Sequence, residues 1–206
     1  MFEKFINKLT GNAKKIVEEG FLITDVEDFK KLNYFLGLFL SFLKAEFKLD
    51  IKSVADFHLH IGNKDINEIR MSFFKYINSI EDITYDYLCL AKNLIHDIVG
   101  DELASNRTLN FSIQMPNDSN SLLPIHSDTF SGESEFQINL WIPLVDSYDS
   151  NSMFIFNPKF SKETLIKIDD FEKSGLDHLL SNYPDEYQFL NVKYGQALIF
   201  TPTCLH

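Results

Sequence analysis

The hydrophobic period of the chain changes near Asn106, and that change limits the fold more than any other feature. Before it, apolar residues recur at every third or fourth position. "EDFKKLNYFLGLFLSFLKAEF" (27–47), "DINEIRMSFFKYINSI" (65–80) and "DITYDYLCLAKNLIHDIVGDEL" (82–103) all have this spacing, which predicts helices. After it, "TLNFSIQM" (108–115) sets Leu109, Phe111, Ile113 and Met115 against Asn110, Ser112 and Gln114. "EFQINLWIPL" (135–144) sets Phe136, Ile138, Leu140 and Ile142 against Gln137, Asn139 and Trp141. Period two predicts strands with two unlike faces. "GFLITDV" (20–26), "SMFIFNP" (152–158) and "QALIFTP" (196–202) predict shorter strands. A helical insertion at 161–183, capped by Ser161, interrupts the late ones.

Helices followed by antiparallel strands imply an α+β fold, a barrel or jelly roll buttressed by N-terminal helices. The 206 residues suit a single domain, with 1–105 as mainly helical support and 106–206 as the strand-rich core. The polar strand face has two options. It faces solvent, or Asn110, Ser112, Gln114, Gln137 and Asn139 line a cavity.

A net charge of −11 repels nucleic acid and anionic membrane surfaces, so neither is expected as a partner. No apolar run has the length of a membrane span, and the first twenty residues lack a secretory signal. Two cysteines, Cys89 and Cys204, are too few for a disulfide framework and fit a reducing compartment. The expectation is a cytoplasmic protein.

"LPIHSDTFSG" (123–132) places His126 and Asp128 two residues apart. On extended backbone both side chains point to one side, so an imidazole and a carboxylate reach the same ion. A third ligand is needed, and His206 ends the late strand segment "GQALIFTPTCLH" (195–206). Two histidines and one carboxylate with open positions opposite favour non-haem Fe(II) and oxygen chemistry. Taken alone the pair is a weak signal. With six histidines, a chance His-x-Asp occurs in roughly a third of such chains, and a polar turn stays open as the plainer reading. His96 and His178 fall within helical patterns and are not expected to ligate. "DFHLHIG" (56–62) offers a rival pair, His58 and His60. An amidohydrolase-type site on that pair needs a (β/α)₈ barrel, for which the chain lacks the parallel strands. No nucleophile elbow or phosphate-binding loop occurs, and Cys204 is expected to pack beside the site.

The stretch "HSDTFSGESEFQINLWIPLVDSYDSNSMFIFNP", followed by "YGQALIFTPTCLH", resembles the Fe(II)- and 2-oxoglutarate-dependent dioxygenases. Within them it is similar to the phytanoyl-CoA-hydroxylase-like branch and to the oxygenases of bacterial surface-carbohydrate gene clusters. The resemblance covers roughly Thr108 to His206, and "EEGFLITDV" looks like the family's opening strand. It implies a double-stranded β-helix (jelly roll), with His126, Asp128 and His206 as metal ligands and catalytic residues. It also implies 2-oxoglutarate and O₂ as cosubstrates and hydroxylation of a small molecule or carbohydrate precursor.

The family places an arginine after the distal histidine to pair with the far carboxylate of 2-oxoglutarate. This chain ends at His206, so a chain shortened at its C-terminus is expected. Arg107, Gln114 and Asn139 are the remaining candidates for that carboxylate. Arg70 (with Asn67 beside it), His60 and Trp141 are candidates to meet the substrate, and the 161–183 insertion is a lid or an edge cover. The alternatives are a non-catalytic jelly-roll binding module and a hydrolase using His58 and His60.

Overall fold

Two aspartates set where the two longest helices begin. Asp28 accepts a hydrogen bond from the Lys31 backbone N–H, and Asp65 accepts from those of Asn67 and Glu68. Each satisfies N–H groups that have no partner inside the first turn. The computed structural model describes residues 9–61, 65–116, 123–168 and 175–206. In chain order its longer elements are α1 (Gly11–Glu19), β1 (Phe21–Asp25), α2 (Phe29–Phe47), α3 (Phe57–His60), α4 (Ile66–Ile77), α5 (Ile83–Leu88), α6 (Lys92–Val99), β2 (Asn139–Trp141), β3 (Phe154–Phe156), α7 (Pro158–Ile166), α8 (Leu179–Asn182), β4 (Tyr187–Phe189) and β5 (Gln196–Phe200). Among the described residues, no helix is long and apolar enough to cross a membrane.

The chain divides into two compact units. One draws on Met1–Thr24, Asn93–Gly100 and Leu123–His206, the other on Asp25–Lys92 and Asp101–Leu122. The second unit is built on aromatic rings. Phe39 of α2 packs on Phe73 of α4 at 4.8 Å between centroids, and Phe111 lies 4.9 and 4.6 Å from those two rings. Such rings bury large areas and meet edge to face.

The segment 108–115 differs from expectation. It forms no strand ladder. The side-chain amide of Asn78 takes the place of a neighbouring strand, donating to the Leu109 carbonyl at 3.0 Å and accepting from the Leu109 N–H at 2.8 Å. The alternation survives as burial: Phe111, Ile113 and Met115 are half-buried, whereas Asn110, Ser112 and Gln114 are exposed.

The helix expected over 82–103 is also broken, into α5, a 3₁₀ turn at Cys89–Ala91, and α6. The Leu90 carbonyl accepts from the Glu27 N–H at 2.9 Å, which ties the turn to the start of α2.

In the first unit, a three-stranded sheet has the order β1-β5-β2, with β2 and β5 antiparallel and Asn139 opposite Phe200. A second pair, β3 and β4, is antiparallel with Phe154 opposite Phe189. No closed barrel forms among the described residues. β2 is shorter than the expected strand over 135–144, and Phe136, expected to face inward, is 71% exposed. Ile155, Leu190, Val192, Leu198, Phe200 and Cys204 form one apolar cluster, with Trp141 packed against it. Ile125, Phe156, Leu176, Leu179 and Leu205 form another.

The insertion is capped by Asn157, which accepts from the Phe160 N–H at 2.8 Å, with Pro158 in the first turn. Ser161, expected to be the cap, is instead 1% exposed inside α7. Its hydroxyl accepts from the Leu205 N–H at 3.0 Å. A buried serine that serves the Leu205 backbone has no reason to stand at a helix end. Residues 169–174 of the insertion lie outside those described.

Gly20 joins the start of this unit to its end. It closes α1 with a φ of 85°, and its carbonyl accepts from the Thr201 N–H at 2.9 Å. A Cβ at this position would lie 2.7 Å from the Cys204 sulfur. Left-handed backbone and a contact closer than van der Waals distance both oppose a side chain here. Gly20→Ala is expected to destabilise the fold by about 2–4 kcal/mol, read as a lowered urea midpoint.

Candidate metal centre

The site begins with a backbone pairing. The His126 N–H donates to the His206 carbonyl at 3.0 Å, and the His206 N–H donates to the His126 carbonyl at 2.9 Å. Two residues that exchange both bonds are directly opposed in an antiparallel ladder, so their side chains leave on the same face. The two imidazoles accordingly lie 4.5 Å apart between centroids. Burial alternates along 125–128, with Ile125 and Ser127 inward and His126 and Asp128 outward.

Ser127 is fully buried and donates to the Pro202 carbonyl at 2.7 Å, pinning this segment to the turn that precedes His206. After Asp128 the chain curls into a 3₁₀ turn, Asp128–Ser131, closed by Gly132 at a φ of 89°. The far side of the segment 204–206 is held too. The Leu205 carbonyl accepts from the Phe156 N–H at 2.9 Å, opposite the ladder to His126.

Asp128 completes the group. Its Oδ1 is 3.6 Å from His126 Nε2, and its Oδ2 is 3.8 Å from His206 Nε2. One ligand atom from each of the three residues falls within 4.8 Å of the others. Each imidazole is oriented from behind. His126 Nδ1 lies 2.8 Å from the Pro124 carbonyl, and His206 Nδ1 lies 3.0 Å from the Cys204 carbonyl. A carbonyl only accepts, so each Nδ1 carries the proton and each Nε2 lone pair is free to ligate. Phe200 stands edge-on to His206 at 5.0 Å and helps fix its ring.

The donor set, two neutral imidazole nitrogens and a carboxylate, fits a divalent first-row metal. The His206 side chain is 8% exposed, against 29% for His126 and 24% for Asp128, so the open side of the group lies beside the latter two.

The three groups titrate differently. The Asp128 carboxylate beside it raises the His126 pKa, against the opposing effect of burial, and the Pro124 carbonyl adds to the rise. Burial pushes the Asp128 carboxyl up, but the contact with His126, the nearby imidazole charges and the Asn139 amide outweigh it and hold the group below its ordinary value. Burial lowers the His206 pKa.

Asn139 on β2 reaches this group. Its Nδ2 donates to Asp128 Oδ2, and its own Oδ1 accepts from Gln137 Nε2 at 3.2 Å. The amide expected to meet a cosubstrate is therefore engaged by a ligand carboxylate. Trp141, two residues on, shares the Asn139 face of the strand. The roles of Ser127, Gln137 and Phe200 were not foreseen. Ser127 alone carried a signal, since it stands between two residues on the opposite phase.

The other candidates belong to the second unit. Arg107 and Gln114 are exposed, and the Arg107 carbonyl accepts from Thr84 Oγ1 at 3.2 Å beside a cavity of about 310 Å³. Arg70 donates to Asn67 Oδ1 at 2.7 Å on an exposed helix face. His58 and His60 are exposed on the single turn α3 and belong to no metal-ligating group among the described residues.

No protein-family model matches the chain. No curated protein matches it either. The reading of the centre rests on its own chemistry.

Because the His126 pKa is raised, protons compete with a metal for its Nε2 at higher pH than for an ordinary imidazole. Affinity is therefore expected to be level above the raised His126 pKa and to fall about tenfold per pH unit below it. Calorimetry in buffers of different ionisation enthalpy checks this, with proton release per ion bound rising as the pH is lowered through the His126 pKa.

Proposed function

We propose that the chain binds a divalent metal through His126, Asp128 and His206 and acts as a non-haem Fe(II)/2-oxoglutarate-dependent oxygenase. Its substrate is a small molecule or carbohydrate precursor that becomes hydroxylated. One observation carries the reading: two Nε2 atoms, each with its Nδ1 proton tied to a backbone carbonyl, converge with one carboxylate on the same face of a strand pair. The likeness of "HSDTFSGESEFQINLWIPL" and "LIFTPTCLH" to such oxygenases supports it. Antiparallel strands around the site agree with a double-stranded β-helix, which we infer as the parent fold. The two cysteines are not in a disulfide, in keeping with a reducing, cytoplasmic setting.

Iron(II) with 2-oxoglutarate and O₂ would supply the oxidation that turns a C–H bond into C–OH, with succinate and CO₂ as coproducts. The residues of the chain prepare that centre. His206 is buried and braced by Phe200. His126 and Asp128 stand on the open side, where incoming molecules have access. Ser127 holds the strand between them against the Pro202 turn, so the ligands are set before metal arrives.

The test uses the full-length protein with Fe(II), 2-oxoglutarate and O₂, reading succinate. Oxygen-dependent succinate release is expected, and His126→Ala and Asp128→Ala should reduce it at least a hundredfold while the fold persists. Failure of the wild-type protein to bind Fe(II) would refute the metal reading. Metal binding without succinate under these conditions would favour a binding module instead.

A further inference from the structure

Asp128 is the one ligand of the centre able to offer a metal two atoms, and one of the two already accepts a hydrogen bond. Asn139 projects from β2 and donates its amide N–H to Asp128 Oδ2. Gln137, on the same phase of the chain, donates in turn to Asn139 Oδ1 at 3.2 Å. That second bond orients the Asn139 amide, because an amide whose oxygen is occupied by a donor presents its NH₂ on the other side. Asp128 Oδ1 faces His126 Nε2 at 3.6 Å with no such donor, while Oδ2, 3.8 Å from His206 Nε2, carries the amide bond.

We propose that Gln137 and Asn139 form a clamp that holds Asp128 as a one-oxygen ligand, and that this sets how many coordination positions stay open. The inference rests on the metal reading of the preceding subsection. Its logic is a count. An octahedral first-row ion has about six positions. Two imidazoles and a single carboxylate oxygen leave three, enough for a chelating cosubstrate and one further small molecule. A carboxylate binding through both oxygens would leave two, and the set would be one short. An N–H donor on Oδ2 lowers the electron density of that oxygen and ties it toward β2, so Oδ1 is the atom offered to the ion.

The position of Asn139 suits the task. It lies directly across the ladder from Phe200, the ring that braces His206. One strand pair thus orients a ligand on each side of the centre: Phe200 sets the His206 ring, and Asn139 sets the Asp128 carboxylate. Asn139 and Gln137 are positioning residues in this scheme and need not touch any substrate.

Manganese(II) is the probe, because water exchanging on the bound ion speeds proton relaxation in proportion to the number of waters held. The full-length wild-type protein, saturated with Mn(II), should show the relaxivity of an ion with three waters. Asn139→Leu keeps the size of the side chain and removes the donor. Its relaxivity per bound ion should fall by about a third as Oδ2 joins Oδ1 on the metal, or its Mn(II) affinity should weaken about tenfold or more while the metal-free melting temperature stays near that of wild type. Either result supports the clamp, and a purely space-filling Asn139 would give neither. Gln137→Ala should move the same readout in the same direction by less, and it decides the matter if Asn139→Leu does not fold. Unchanged relaxivity and affinity in the folded variant would overturn the clamp and leave the metal reading standing. So would a wild-type relaxivity of two waters. Wild-type protein that binds no Mn(II) would refute the metal reading and the clamp with it.

Discussion

The paired backbone bonds between His126 and His206 are the constraint on which the centre depends. Eighty residues of chain separate these two, and each side chain gains its meaning only from the other. Because side chains alternate along extended backbone, a slip of one residue would set Ile125 or Ser127 opposite His206 and turn His126 into the core. The register is protected from both sides. Ser127 bonds to the Pro202 carbonyl beneath the ladder, and Ser161 and Phe156 bond to Leu205 on the far side of the segment 204–206. Three short polar contacts thus secure a geometry that the imidazoles alone could not hold.

Much of this was legible in the sequence, and the reasons differ from element to element. Helices α2 and α4 could be read because each carries an apolar stripe with an aspartate just before it, and both signals are local. The pair His126 and Asp128 could be read because period two is also local. The pairing with His206 came from the likeness to a family and from the end of a strand pattern, and the backbone exchange then supplied the reason. Where side chains took over backbone duties, the reading failed. Asn78 acts as a strand partner for Leu109, so an alternating segment has no ladder. Asn157 caps α7 because Ser161 is needed at Leu205. No pattern along the chain reports which amide will serve as a partner for distant backbone.

The polar face of the late strands has divided. Asn110, Ser112 and Gln114 are exposed to solvent, as the plainer of the two options held, while Gln137 and Asn139 are half-buried and bonded into the metal group. Alternation alone assigns five residues to one phase without saying what stands in front of each. For Asn139 it is the Asp128 carboxylate, to which its amide donates. Arg107 and Gln114 are exposed in the aromatic unit, where the Arg107 carbonyl accepts from Thr84 and Arg70 donates to Asn67.

Gly20 and Cys204 have a further bearing on the chemistry. The space a methyl group would need at Gly20 is filled by the Cys204 sulfur, two residues before His206. Burial raises the pKa of that thiol and keeps it protonated. A protonated, enclosed thiol is a poor metal ligand and is slow to oxidise. The missing side chain at the end of α1 therefore does more than permit a turn. It lets a sulfur sit next to His206 as inert filling, where a better-exposed thiolate would compete for any ion bound by His126, Asp128 and His206.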